Sequence, residues 1–397
     1  MTTLTQVAQA AAISTIPAHI LNTTKTDYED TPLFLGQLPG LFDTINSSHP
    51  KLIKLYKKLK AQDWDEQEFD FVSCKQQFKT CKPEEYFSMI STIAWQWEAD
   101  TAAARSMIRI VAPFVSSSDF WSAVLRIADN EVVHARSYSE MVKFSFDDPE
   151  AVMADVLSKV EALRRMKVIA EVMDRTYQVG LKIETGEISR DSDEAYEAIF
   201  MFYVAMYCLE GLQFIASFAV TFALANMGLF VQFGKCVQKI CADELEIHAE
   251  FDRAVLDIEL GSERGLMFFN RNREKILQII DDVRLSEYAW VDYLAENTGN
   301  NIPGTSPEGL KAEVDRNALP IYQFFGFKPE LPHIDGPILA YMEKWKTLDE
   351  IQPAPQEEKH GAYLLGGFKH DDEDVEFELS GLMSALFKTE PDNSVMQ

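Results

Sequence analysis

Two histidines in the central part of the chain each follow a glutamate by about one helical turn. The 397 residues include seven histidines, and only His134 and His248 lie between residues 50 and 332. Glu131 precedes His134 by three residues, and Glu244 precedes His248 by four. Both spacings place the carboxylate and the imidazole on one face of an α-helix. Each pair is therefore a candidate metal-binding pair.

Two further carboxylates stand in strongly apolar helical segments. Asp100 shares its side of a predicted helix with Trp97 and Met107, and Glu210 lies within the very apolar stretch 198–233. Buried carboxylates must be neutralised, and a pair of metal ions does this directly. Four helices that each turn a carboxylate inward, two of them adding a histidine, form the ligand set of ferritin-like dimetal bundles. Carboxylates with few imidazoles suit iron or manganese.

Each of these residues taken alone has a simpler interpretation. Glu131 and Glu244 could be surface acids, and His134 could be a core histidine with satisfied hydrogen bonds. Glu210 is harder to explain in this way, because no basic residue lies within a helical turn of it. The joint pattern on four helices favours a dimetal site over these separate interpretations.

Long segments with helical spacing must position these side chains, and strand signals are few. Start signals are the acids after Pro83, and the groups Ser117–Asp119, Asp148–Glu150 and Ser192–Glu194. The helices that we expect cover residues 50–61, 83–110, 118–144, 149 into the 180s, 193–226, 229–260 and 263–297, with a short helix after the Gly- and Pro-rich loop 298–307. We therefore predict an all-α, ferritin-like helical bundle.

Composition divides the chain into three parts. Residues 1–30 show little pattern and are predicted to form an N-terminal arm, and 31–350 form the dimetal helical domain. Residues 351–397 are predicted to be a flexible acidic tail, since the last 46 residues hold ten acids and three lysines. The apolar groups Tyr363–Leu365 and Leu379–Phe387 within it suggest docking on a partner protein. A C-terminal helix packed on the domain is the alternative.

Charge and cysteine usage limit the partners and the compartment. A net charge of −26 disfavours binding to nucleic acid or to anionic membranes, so a protein partner is expected. The five cysteines show no pairing framework and no secretory signal is evident, which predicts a cytoplasmic protein. The stretch 198–233 could span a membrane, but Glu210 near its centre favours a buried helix.

The segment Glu131-Val-Val-His134-Ala-Arg-Ser-Tyr138 resembles the E-x-x-H-x-R-S-Y segment of class I ribonucleotide reductase small subunits. The 31 residues from Asp100 to Glu131 and the 34 from Glu210 to Glu244 match the gaps between the ligands of that family. The resemblance covers residues 30–260 well and the tail more loosely. It implies a homodimer that partners a large subunit in reducing ribonucleotides to deoxyribonucleotides.

The resemblance also implies roles for individual residues. Two iron ions, or manganese, would be held by Asp100, Glu131 and His134 on one side and by Glu210, Glu244 and His248 on the other. With oxygen they would oxidise Tyr138 to a stable radical. The radical would be shielded by an apolar pocket of Phe214, Phe218 and Ile240.

An electron route is also implied by the resemblance. Trp64 matches a surface-side tryptophan that relays an electron toward the metals, and Asp243 matches the aspartate linking it to His134. In the tail, Tyr363 matches a tyrosine that transfers the radical to the large subunit.

The chain departs from the family pattern in two places. The family commonly has E-x-x-H on the fourth helix, whereas Glu244 and His248 here are four residues apart. We expect a local π-bulge to absorb the additional residue. The tail also continues past the usual end near Leu382. Open alternatives are a dimetal oxidase or hydroxylase with its own substrate, an iron-storage or iron-oxidation protein, and a membrane protein built on residues 198–233.

Overall fold

The computed structural model describes residues 31–37 and 41–346, and about three quarters of these residues are helical. Within these ranges, strand-like pairing is limited to one isolated bridge between Phe34 and Val115. The prediction of an all-α fold is confirmed. The predicted arm 1–30 and tail 351–397, with Tyr363, lie outside the described residues.

Thirteen α-helices are found in the described part of the chain, and two π-helical turns interrupt the two ligand-bearing helices in its second half. In chain order the elements are α1 (Pro50–Ala61), α2 (Lys75–Thr80), α3 (Pro83–Val111), α4 (Ser118–Ser145), α5 (Pro149–Leu157), α6 (Val160–Glu184), α7 (Asp193–Cys208), the turn π1 (Leu209–Gln213), α8 (Ile215–Asn226), α9 (Val231–Asp243), the turn π2 (Glu244–His248), α10 (Ala249–Leu260), α11 (Glu263–Asn297), α12 (Pro307–Phe324) and α13 (Ala340–Lys346).

The start signals in the sequence act as helix caps. The Ser117 hydroxyl accepts from the Phe120 N–H at the start of α4, and the Ser192 hydroxyl accepts from the Ala195 N–H at the start of α7. Pro83 occupies the first turn of α3, where its missing N–H costs nothing. The two serines each satisfy an otherwise unpaired backbone donor, and Pro83 leaves none to satisfy, so these helices begin where the sequence predicts.

One predicted helix is divided. The segment expected to run from Pro149 into the 180s forms α5 and α6, because the backbone of Lys159 leaves the helical region at φ −76° and ψ 80°. Apolar residues keep helical spacing on both sides of this break, which concealed it in the sequence. The short helix α2, just before α3, was also not predicted.

The apolar stretch Asp193–Asn226 lies in the centre of the bundle. It is long and apolar enough to cross a membrane, yet 94% of its most apolar 18-residue window is buried among other parts of the chain. Its helix α7 packs against α6 and α10, and α8 packs against α9 and α3. The stretch is therefore the core helix of a bundle, as in other large helical proteins.

Candidate metal centre

Six side chains from four helical segments meet inside the bundle, and none is more than 1% exposed. They form two groups in which the ligand atoms lie within 4.8 Å of one another. The first group is Asp100, Glu131, His134 and Glu244, and the second is Glu131, Glu210, Glu244 and His248. Glu131 and Glu244 belong to both groups, so their carboxylates lie where they could bridge two ions.

The first ligand-bearing elements are uninterrupted α-helices. Asp100 lies in α3, and Glu131 and His134 lie three residues apart in α4, which packs more extensively on α3 than on any other element. The Nδ1 atom of His134 lies 3.8 Å from an oxygen of Glu131 and 4.0 Å from an oxygen of Asp100. Regular helix geometry is enough to bring these three side chains together.

The second half of the site is built on the two π-helical turns. Glu210 lies in π1, and Glu244 and His248 are the first and last residues of π2. The Ala249 N–H donates to the Glu244 carbonyl, the i to i+5 bond that defines a π turn. The predicted π-bulge at this position is confirmed.

The π turn is wider than an α-helical turn, and it brings the side chains of Glu244 and His248 together inside the site although the two residues are four apart. The Nδ1 atom of His248 lies 2.8 Å from Glu244 Oε2 and 3.1 Å from Glu131 Oε1. The Nδ1 atom of His134 lies 2.9 Å from the other oxygen of Glu244. Glu244 therefore stands between the two imidazoles, and the departure from E-x-x-H does not displace it from the site.

Several of these buried atoms lack an ordinary partner, which tests whether metal ions fit. Both carboxylate oxygens of Asp100 and Oε1 of Glu210 have no hydrogen-bond partner among the described residues. Leaving a buried carboxylate unsatisfied is costly, so these atoms require a ligand. Four carboxylates and two imidazoles are a donor set that iron and manganese both accept. The residues fit a pair of such ions.

Without bound metal ions, several of these carboxyl and imidazole groups hold protons that they would lose in water. Burial, followed by the nearby carboxylates Glu131 and Glu244, raises the pKa of Asp100 well above its ordinary value. Burial and Glu244 do the same to the pKa of Glu210. Burial opposes the charge on His248, but the carboxylates of Glu244 and Glu131 together outweigh burial and raise the pKa of His248 to about 10. A cation that enters must displace these protons.

Asp243 connects the site to the edge of the bundle. Its Oδ2 accepts hydrogen bonds from Trp64 Nε1 at 2.7 Å and from His134 Nε2 at 3.1 Å. The Trp64 ring also stacks on the His134 ring with centroids 5.8 Å apart. Because His134 Nε2 donates to Asp243, its Nδ1 is free to face the carboxylates. The structure thus brings together the three residues that the resemblance predicted to be linked.

Asn130 is a site residue that sequence reasoning missed. Its Nδ2 donates to Asp243 at 3.1 Å, and its Oδ1 accepts from His248 Nε2 at 2.9 Å. The amide therefore bonds His248 directly, which leaves Nδ1 of His248 facing the carboxylates, and it reaches His134 only through Asp243. A signal was present, because Asn130 precedes His134 by four residues and so shares its helix face.

Tyr138 lies on α4 two turns after Glu131 and is completely buried. Its hydroxyl has no hydrogen-bond partner among the described residues, and burial, followed by the charge of Asp100, raises its pKa well above the ordinary value. The phenol is therefore neutral and shielded from water. Phe214, Phe218 and Ile240, the predicted pocket residues, are each at most 2% exposed.

Comparison with known sequences gives a consistent result. Residues 41–329 match the model of the family described as "Ribonucleotide reductase, small chain". A similar curated relative is "Ribonucleoside-diphosphate reductase subunit beta" of Buchnera aphidicola subsp. Schizaphis graminum. It is 22% identical over 359 residues, which cover 87% of this chain and 94% of the relative.

Solved structures share the fold at low sequence identity. The ribonucleotide reductase R2 subunit of Clostridium botulinum aligns with a TM-score of 0.68 and 17% identity, covering 83% of this chain and 98% of that one. An R2-like ligand-binding oxidase with a reconstituted Mn/Fe cofactor aligns with a TM-score of 0.54 and 17% identity, covering 69% and 93%. At these identities the structures support the helical fold and do not separate reductase from oxidase.

Proposed function

The chain belongs to the ribonucleotide reductase small-chain family, and we infer from this that it is the radical-generating small subunit of a ribonucleoside-diphosphate reductase. The observation that carries the inference is the position of Tyr138 on the helix face of Glu131 and His134, buried beside a two-group carboxylate and histidine site. A metal store would need the ligands but would not need a water-shielded phenol next to them.

The six converging side chains are the proposed metal ligands. Asp100, Glu131 and His134 would hold one ion, and Glu210, Glu244 and His248 mainly the other. Glu131 and Glu244 would contact both ions, since they belong to both ligand groups. When bound, the ions supply one-electron oxidation with oxygen as the oxidant. Iron is the proposed metal, and manganese is the alternative.

The protein's part is to hold the ligands, exclude water and move the oxidising equivalent. Oxidation of Tyr138 removes one electron and the phenolic proton, leaving a neutral radical in a completely buried position. The proposed pocket residues Phe214, Phe218 and Ile240 are all apolar and buried, so they would offer the radical no ionisable group and no path for water.

The proposed route for electrons between the metal site and the outside of the bundle runs through Trp64, Asp243 and His134. Trp64 is 9% exposed, so it is the member of the route nearest to solvent. In this proposal the oxidising equivalent continues through Tyr363 to a large subunit that binds the ribonucleotide. The protein would act as a homodimer in the cytoplasm, with no role for nucleic acid or membrane.

The test is to load the purified full-length chain with ferrous iron, admit air, and record absorption and electron-paramagnetic-resonance spectra. We expect a tyrosyl radical signal that disappears in Tyr138→Phe while iron binding is unchanged. Tyr203→Phe is the matched control, because Tyr203 is also buried and its hydroxyl has no hydrogen-bond partner in the part of the chain that the structure describes. The control variant should keep the signal.

Turnover with a ribonucleotide reductase large subunit completes the test. Tyr138→Phe should have no reductase activity, and the control variant should retain it. Full turnover by Tyr138→Phe would contradict the assignment of the radical to Tyr138. Oxidation of a small molecule without any large subunit would instead identify the protein as an oxidase.

A further inference from the structure

A fully buried ion pair lies outside the ligand set. Arg165 of α6 and Glu287 of α11 are 2% and 0% exposed, and they form a bidentate pair with Nε–Oε1 and Nη2–Oε2 distances of 2.5 and 2.6 Å. Removing two charges from water is expensive, and an apolar pair of similar volume is often at least as stable. The position of this pair therefore calls for an explanation other than stability.

The guanidinium contacts two tryptophans. The carbon at the centre of the Arg165 guanidinium lies 4.4 Å from the centroid of the Trp95 ring and 4.8 Å from that of Trp290. These two cation–π contacts compensate part of the lost hydration. The Trp95 ring also contacts the ring of Phe214, the residue that follows π1, with centroids 5.9 Å apart.

The remaining hydrogen bonds of the pair go to the backbone and side chains just after Glu210. Arg165 Nη2 donates to the Gln213 carbonyl at 2.6 Å, and Nη1 donates to the Ser217 hydroxyl at 2.6 Å. The Ala216 N–H donates to Glu287 Oε2 at 3.3 Å. These groups lie where π1 ends and α8 begins, and a broken helix leaves backbone groups in need of partners.

We propose that the Arg165–Glu287 pair is a positioning device that fixes the end of π1 and thereby holds Glu210 at the second ligand group. Glu210 lies three residues before Gln213 inside the same turn. The first ligand group does not include Glu210, and three of its four members, Asp100, Glu131 and His134, stand on uninterrupted helices. Loss of the pair should therefore weaken one metal position and leave the other intact. This inference rests on the proposed dimetal function.

The test measures metal stoichiometry on the full-length chain, by equilibrium dialysis against Mn²⁺ followed by elemental analysis. Wild type should bind two ions per chain. The double variant Arg165→Met/Glu287→Met should fold, because apolar side chains replace both charges. It loses the three hydrogen bonds that the two side chains make to Gln213, Ala216 and Ser217. We expect it to bind one ion, with the affinity of the other position reduced about 10- to 100-fold. Hydrogen exchange should accelerate at the amides of residues 213–217.

A matched control uses another buried ion pair, between Arg284 of α11 and Asp315 of α12. Arg284 Nη1 lies 3.2 Å from Asp315 Oδ1, and none of the hydrogen bonds of these two side chains goes to the break after π1. The variant Arg284→Met/Asp315→Asn should keep both ions even if its stability falls. If the double variant at Arg165 and Glu287 is insoluble, the isosteric Glu287→Gln replaces it. It should weaken one position about tenfold and leave the other unchanged.

The outcomes separate this inference from the function on which it rests. Two ions with unchanged affinities in the Arg165/Glu287 variants, or equal weakening of both positions, would overturn the positioning role. Fewer than two ions in wild type would instead overturn the proposed dimetal site itself.

Discussion

The two halves of the metal centre reach similar geometry by different means. Asp100, Glu131 and His134 stand on the regular helices α3 and α4. Glu210, Glu244 and His248 stand on the π turns. In the regular half a spacing of three aligns glutamate and histidine, whereas in the π half a spacing of four does so. A search for E-x-x-H alone would therefore find only half of this site.

The halves also differ in the support that they need. A continuous helix satisfies its own backbone, so the regular half depends mainly on packing between α3 and α4. A π turn disturbs that pattern and needs partners from elsewhere. The end of π1 has the Arg165–Glu287 pair, which reaches its backbone. Lys58 of α1 contacts π2 only at the exposed carboxylate of Glu246, with Nζ 2.7 Å from Oε2.

Deleting one residue should have opposite effects in the two halves, and this is the largest expected difference. Deletion of the exposed Glu246 leaves an E-x-x-H sequence that a plain α-helix can present, so we expect two metal ions to bind and the fold to persist. Deletion of Val132 turns His134 and Tyr138 by about 100° relative to Glu131 in a regular helix, so metal binding should be lost. Metal analysis and circular dichroism would check both variants.

Equal behaviour of the two deletions would contradict the distinction between the halves. Loss of both ions on deletion of Glu246 would show that π2 is required for the site. Retention of both ions on deletion of Val132 would show that α4 can accommodate a change of register.

A smaller effect is expected at Asn130, which joins the halves. Asn130→Ala removes the hydrogen bonds to Asp243 and His248, so the His248 imidazole loses a direct partner and the His134 imidazole loses support through Asp243. We expect metal affinity to fall about 10- to 100-fold, as is usual for groups that orient ligands. Competition with a chelator would measure it. The neighbouring Asp129→Ala, on the exposed side of α4, is the control and should bind metal as wild type does.

The smallest expected effect is a gradual dependence of stability and metal affinity on pH, which follows from the protons that the site holds. The folded pKa values of Asp100, Glu131 and Glu210 are raised, chiefly by burial, so the metal-free fold loses stability as pH rises through them. The raised pKa of His248 acts in the same direction. Metal ions should reverse the trend by displacing protons, so their affinity should increase with pH.

Calorimetry in two buffers of different ionisation enthalpy would measure the protons released as metal binds. Net release at neutral pH is expected. Binding without release, or a metal-free melting temperature that rises between mildly acidic and neutral pH, would contradict this description of the site.

The sequence predicted those features that leave a local pattern. Pro83, Ser117 and Ser192 marked helix starts because capping acts within a few residues. The spacing of Glu244 and His248 revealed π2, because two ligands in one helix expose a change of register. Glu210 has no partner of this kind in its own helix, so π1 could not be predicted.

Other features depend on contacts between distant parts of the chain. Arg165 and Glu287 are 122 residues apart, and no local spacing relates them. Asn130 carried a weak local signal, yet its partner His248 lies 118 residues away. The break at Lys159 was concealed because apolar spacing continues across it.

Anomalous diffraction from crystals soaked in Mn²⁺ would locate the bound ions. We expect two manganese peaks per chain, one among Asp100, Glu131 and His134 and the other among Glu210, Glu244 and His248, with Glu131 and Glu244 contacting both. A single peak, or peaks away from these six side chains, would contradict the proposed dimetal site.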